Sequence, residues 1–130
     1  MRASKLAVIL ASTLALLIVG CRSAPVYNVS EQAVASSKSN LTLDDVSMAI
    51  VRAGGALGWQ MKETKPGHIL GTLYLRTHVA IVDVNYSTKS YSITYKDSTN
   101  LDYDGTNIHS NYNGWIQNLQ KGIQTQLNLL

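Results

Sequence analysis

The sequence predicts an α+β fold, a four-stranded antiparallel meander with an N-terminal and a C-terminal helix packed on one face. Three observations predict it. A three-to-four apolar spacing opens and closes the region 41–130, a two-residue alternation fills its middle, and the links between the alternating runs are too short for parallel crossovers.

The first helix is expected over 42–53. Thr42 is placed to cap it, Asp45 stands three residues on as an acidic relative of the capping box, and Asp44 and Asp45 suit the positive end of the helix dipole. Leu43, Val46, Ile50 and Ala53 recur at helical spacing, and Gly54-Gly55 reads as the stop. A strand is expected at 57–63, where Leu57, Trp59 and Met61 alternate with Gly58, Gln60 and Lys62 before the turn Lys65-Pro66-Gly67. Further strands follow at 68–76, 79–86 and 90–96, with Ser87-Thr88-Lys89 as a hairpin link. In the third run, Asp83 and Asn85 mark the solvent face, which assigns Ala80, Val82, Val84 and Tyr86 to the core. Tyr91, Ile93 and Tyr95 match them in the fourth. The last element carries Tyr112, Trp115, Ile116, Leu119, Ile123 and Leu127 at spacings of three and four, an amphipathic helix with Trp115 at the centre of its stripe.

Ahead of this region lie two segments of different character. Residues 1–20 begin with Arg2 and Lys5 and continue as small and apolar residues from Leu6 to Gly20, the architecture of a signal peptide. A spanning helix needs roughly 20 apolar residues, more than this run offers. The run ends Ile18-Val19-Gly20-Cys21, which resembles the lipobox of bacterial lipoproteins. That resemblance implies cleavage before Cys21, a diacylglycerol thioether on its sulfur and an acylated new N-terminus, which would hold the chain on a membrane. Arg22 stands where an Asp commonly retains enterobacterial lipoproteins in the inner membrane, so the expected address is the outer membrane, facing the periplasm. Residues 21–40 are rich in Ser, Ala, Asn and Lys and read as the lipidated N-terminus and a flexible tether, with docking of a short piece around Val26 to Val34 as the alternative. One domain, 41–130, follows.

The composition narrows function mainly by exclusion. The formal charge of +3 shrinks once Arg2 and Lys5 are removed, because 9 basic residues then face 8 acidic ones. The basic residues are scattered, and no nucleic-acid surface is expected. Cys21 is the one cysteine in the sequence, so no internal disulfide is expected.

Of the three histidines, none has a His-x-x-x-His or Glu-x-x-His companion. His68 and His78 fall at neighbouring strand ends, where a shared site is conceivable, and His109 precedes the last helix, whose entry it is expected to shape. Asn100, Asp102 and Asp104 with Gly105 match the first half of a calcium loop, but Asn107 and Asn111 stand where the aliphatic residue and the bidentate Glu belong. The alternative is a polar connection whose Asp and Asn satisfy their own backbone. No Gly-x-Ser-x-Gly occurs, and no paired carboxylates define a cleft. Six tyrosines fall in the domain, where tyrosine serves both wet interfaces and half-buried strands.

The block Ser98-Thr99-Asn100-Leu101 through Ile108-His109-Ser110-Asn111-Tyr112-Asn113-Gly114-Trp115-Ile116-Gln117-Asn118-Leu119 resembles the C-terminal portion of small uncharacterised proteobacterial lipoproteins. That resemblance implies no activity. The expectation is a non-enzymatic envelope lipoprotein without cofactor or metal. It would be membrane-held through lipid on Cys21 and would bind another periplasmic or outer-membrane component. A small-ligand or cell-wall-fragment binder is the second reading and a hydrolase the third.

Overall fold

A computed structural model describes residues 22–130, and the expected signal peptide and Cys21 lie outside the described residues. The elements are β1 (Ser23–Pro25), β2 (Val29–Ala33), α1 (Leu43–Ala56), β3 (Gln60–Lys65), β4 (His68–Leu75), β5 (His78–Tyr86), β6 (Ser90–Thr99), β7 (Asn107–His109) and α2 (Ser110–Asn128). The fold is α+β, with two helices and a five-stranded antiparallel sheet in the order β2-β6-β5-β4-β3. The expected meander is present as β3 to β6, and β2 adds a fifth strand at one edge. A separate antiparallel ladder joins β1 to β7, with Ser23 opposite His109.

The segment 22–33 is therefore not a free tether. Val29 is buried opposite Ile93, the Tyr27 amide donates to Asn113 Oδ1 at 2.9 Å, and the Val26 amide donates to the Thr106 carbonyl at 3.0 Å. Each strand is short and polar, so composition alone assigns it to a spacer; what orders it is pairing with chain distant in sequence, from Ala33 with Ser90 to Ser23 with His109. Residues 34–42 remain outside helix and strand.

Helix α1 starts as its sequence directs. Thr42 Oγ1 accepts from the Asp45 amide at 3.1 Å, and Asp45 Oδ2 accepts from the Thr42 amide at 3.0 Å. Its end corrects the sequence reading, because the helix runs through Gly54 and Gly55 to Ala56. The stop is Gly58, at φ +88°, a left-handed conformation that favours glycine. The Trp59 amide donates to the Gly54 carbonyl and the Gly58 amide to the Gly55 carbonyl, the two bonds of a Schellman motif. Residues 57–59 are spent on this turn, so β3 begins at Gln60 rather than at Leu57. Gly54 has a different use: it is buried in the helix, and a Cβ there would run into the Met61 side chain of β3.

The core forms on one face of the sheet. Ile69 and Leu73 of β4, Ala80, Val82, Val84 and Tyr86 of β5, and Tyr91 and Ile93 of β6 join Val46, Ile50 and Ala53 of α1 in one buried cluster. Helix α2 contributes Tyr112, Ile116, Leu119, Ile123 and Leu127. Trp115 sits at the flank of that line, half-buried against the cluster, and is not its central anchor. The registers carry three irregularities, one of them between Glu63 and Lys65 where β3 pairs with β4. Ile81 pairs with Asp97 while Val82 pairs with Tyr95, leaving Lys96 as the extra residue of a bulge that carries β6 on to Thr99. A second shift in β2 places Glu31 at φ +46°.

Candidate functional site

Both helices pack on one face of the sheet, which leaves the other open. Among the described residues of that open face in β3, β4, β5 and β6, none is buried. Its centre is apolar and built from cross-strand pairs: Thr72 opposite Ile81 and Tyr74 opposite Val79, with Leu70 beside them opposite Asp83. Tyr74 is 61% exposed.

Asp83 starts the polar end of this face. Its Oδ1 lies 2.7 Å from His68 Nε2 and its Oδ2 lies 3.7 Å from Lys96 Nζ, while the other ring nitrogen, His68 Nδ1, bonds the Thr64 hydroxyl. A carboxylate oxygen accepts, so Asp83 takes this bond from the His68 Nε2–H. A hydroxyl–imidazole–carboxylate line is the geometry of an activated nucleophile. Here it lies across an open sheet face. Two shallow depressions flank the fold, and neither is lined by Thr64, His68 or Asp83. The line fixes side chains at the rim of the apolar patch.

Beyond it, Glu31, Gly67, Asn85, Tyr86, Ser87, Ser90 and Ser92 surround an open depression of about 240 Å³, where Ser92 Oγ accepts from the Glu31 amide at 3.0 Å. The other depression, near the end of α2, is lined by Val34, Ala35, Ser36, Ser37 and Asn128, with no charged or aromatic side chain.

The histidines do not meet as their sequence positions allowed. Because β4 and β5 run antiparallel, His68 pairs with Asn85 while His78 pairs with Leu75, seven residues away along the same ladder. At about 3.3 Å per residue that is roughly 23 Å. His78 instead meets His109 and Trp115, each ring centroid 6.3 Å from its own, and its Nδ1 bonds the Asn100 carbonyl at 2.6 Å. His109 Nδ1 accepts from the Asn111 amide at 3.2 Å and caps α2, which is the helix-entry role its position indicated. The Asp83–His68 pair was missed, although Asp83 in an otherwise apolar strand was its visible half.

The loop after β6 spends its polar groups internally. The Asn100 side-chain amide donates to Thr77 Oγ1 at 2.7 Å. Asp104 Oδ1 accepts from the Asn107 and Thr106 amides at 2.7 and 2.9 Å, and these bonds hold its carboxyl below the usual carboxylate range. Asp102 turns the chain at φ +52° and Gly105 at φ +100°. Among the described residues no group of three or more His, Cys, Asp or Glu gathers where a metal ion would be held.

Nor, among the described residues, is any helix long and apolar enough to cross a membrane. No family model, curated protein or solved structure matches the chain.

Proposed function

We propose that this chain is a lipid-anchored, non-enzymatic envelope lipoprotein of the outer membrane, facing the periplasm, whose domain binds another envelope protein through the open face of its sheet. The observation that supports it is the uncovered patch of Leu70, Thr72, Val79 and Ile81, rimmed at one end by the fixed His68, Asp83 and Lys96. An apolar centre with a charged rim is the anatomy of a protein interface. Neither of the two depressions described borders the Thr64–His68–Asp83 line, which ranks a catalytic reading below an interface. The lipid anchor rests on the Ile18-Val19-Gly20-Cys21 pattern.

The test places a photo-activated cross-linking residue at Leu70 in living cells. One discrete adduct is expected, lost when Ile81→Lys puts a charge in the patch of a chain that still folds by circular dichroism. An equal yield from Arg52, exposed on α1, or an adduct that survives Ile81→Lys, would reject the interface. A cell-wall-fragment site is the second reading, supported by the hydroxyl and carboxylate lining of the depression at Glu31, Asn85, Ser90 and Ser92. At about 240 Å³ it is smaller than the roughly 300–1,000 Å³ typical of ligand pockets, which ranks it below the protein partner.

A further inference from the structure

The placement of residue 22 carries a consequence for how the domain meets the membrane. A flexible tether would let the domain hang free, but the chain is tied down from its first described residue. The Ser110 amide donates to the Arg22 carbonyl at 2.6 Å, Ser23 to Pro25 pair with β7, and Asn113 Nδ2 donates to the Pro25 carbonyl at 2.9 Å. Cys21 is thus one peptide unit, about 3.8 Å, from a residue fixed at the N-terminus of α2. Acyl chains on that cysteine must dissolve in hydrocarbon, so the end of the domain that carries Arg22 cannot stand far from the bilayer.

That same end bears the β4–β5 hairpin tip. Ser23 pairs with His109, the His109 ring lies 6.3 Å from that of His78, and His78 pairs with Leu75, so the path from Arg22 to the tip is continuous. Four successive residues there, 74–77, are exposed; Tyr74 is 61% and Leu75 43% accessible, and Arg76 turns the chain at φ +55°. Tyr, Leu and Arg in sequence supply a ring suited to the headgroup level, an aliphatic group for the acyl boundary, and a long cation that reaches lipid phosphate while its stem lies on apolar surface.

We propose that the β4–β5 tip, Tyr74 to Thr77, is a second membrane contact, which with the lipid on Cys21 holds the domain upright against the bilayer in one orientation. The occupant of the tip is a lipid surface. Two points of attachment fix an orientation that one lipidated residue on a loose chain does not. Upright seating turns the β5–β6 hairpin at Ser87 to Lys89 away from the bilayer, since β5 is nine residues long, roughly 30 Å.

The proposal rests on the lipid-anchor reading, and the test separates the two. The full chain is purified from membranes with a single added cysteine, Thr77→Cys or Lys89→Cys, labelled with bimane and reconstituted in vesicles of phosphatidylethanolamine and phosphatidylglycerol containing a headgroup spin-labelled lipid. Intact mass first reads acylation of Cys21. With acyl mass present, several-fold stronger quenching is expected at 77 than at 89, and the difference should fall when Tyr74→Ser and Leu75→Ser are added while the acyl mass and circular dichroism stay unchanged. Equal quenching at 77 and 89 on acylated protein overturns the seated orientation and leaves the anchor standing. A difference that survives the double Ser variant shows that the anchor alone orients the domain, and removes the tip. Absence of acyl mass overturns both.

Discussion

Gly54 and Gly55 are neighbours in one helix, yet replacing each by Ala should change stability in opposite directions. Gly55 is exposed, helical and meets nothing within 4 Å of a built Cβ. Alanine there gains helix propensity, about 0.5–1 kcal/mol near a helix end. Gly54 offers the same gain of roughly 1 kcal/mol, but its Cβ would come to 3.0 Å or less from three atoms of Met61, whose chain lies between α1 and β3. Pushing a packed side chain off its rotamer costs about 1–3 kcal/mol. The net for Gly54→Ala is a loss of about 0–2 kcal/mol, while Gly55→Ala raises the urea midpoint. The discriminating measurement is a double-mutant cycle with Met61→Ala, followed by circular dichroism of the full chain in mild detergent. Removing Met61 should turn Gly54→Ala from a loss into a gain, a coupling of roughly 1–2 kcal/mol. If Gly54→Ala alone stabilises as much as Gly55→Ala, with no coupling to Met61, helix α1 does not rest on β3 as described.

Two further outcomes follow from the core. Burial, with a smaller contribution from Tyr27, pushes the Tyr91 hydroxyl up to about 12, and burial raises Tyr112 further, so both favour the protonated folded state. A folded value above the unfolded 10.0 means that this stability is complete below pH 10 and declines as pH rises beyond it. Phenolate absorbance should therefore show at least two of the seven tyrosines ionising only as the far-ultraviolet dichroism is lost, and titration of all seven in a still-folded chain would contradict their burial. Ile116 is fully buried and Trp115 half-buried, so Ile116→Ala should cost about 2–5 kcal/mol and Trp115→Ala clearly less. Denaturant midpoints in the reverse order would return Trp115 to the centre of the core.

The Trp115 correction shows how far a helical period reaches. Spacing identifies a stripe, and five of its six residues are buried, but which residue lies at the centre depends on how α2 is rolled against the sheet. The histidines make the same point. His68 and His78 are ten residues apart and separate because a hairpin folds between them, whereas His78 and His109, thirty-one apart, come together because β1 and β7 close over that end. The candidate face was half legible: alternation in 79–86 named its solvent side, and no local pattern named the Asp83–His68–Thr64 line that crosses three strands.

What the sequence determined by itself is what local chemistry decides. Thr42 and Asp45 cap a helix because a hydroxyl and a carboxylate three residues apart meet the same free amides, and strict alternation sorts β5 into a core side and an open side because successive side chains point to opposite faces. The tertiary structure alone decided the rest. Residues 22–33 look like a spacer because they are short and polar, and they become strands when Ile93, Ile108 and Asn113 supply partners that composition cannot reveal. The double glycine reads as a stop because glycine commonly ends helices, yet Gly54 is a place where a strand comes too close for a Cβ, and the stop is Gly58. Periodicity reports the faces of an element; only the packed chain reports what each face meets.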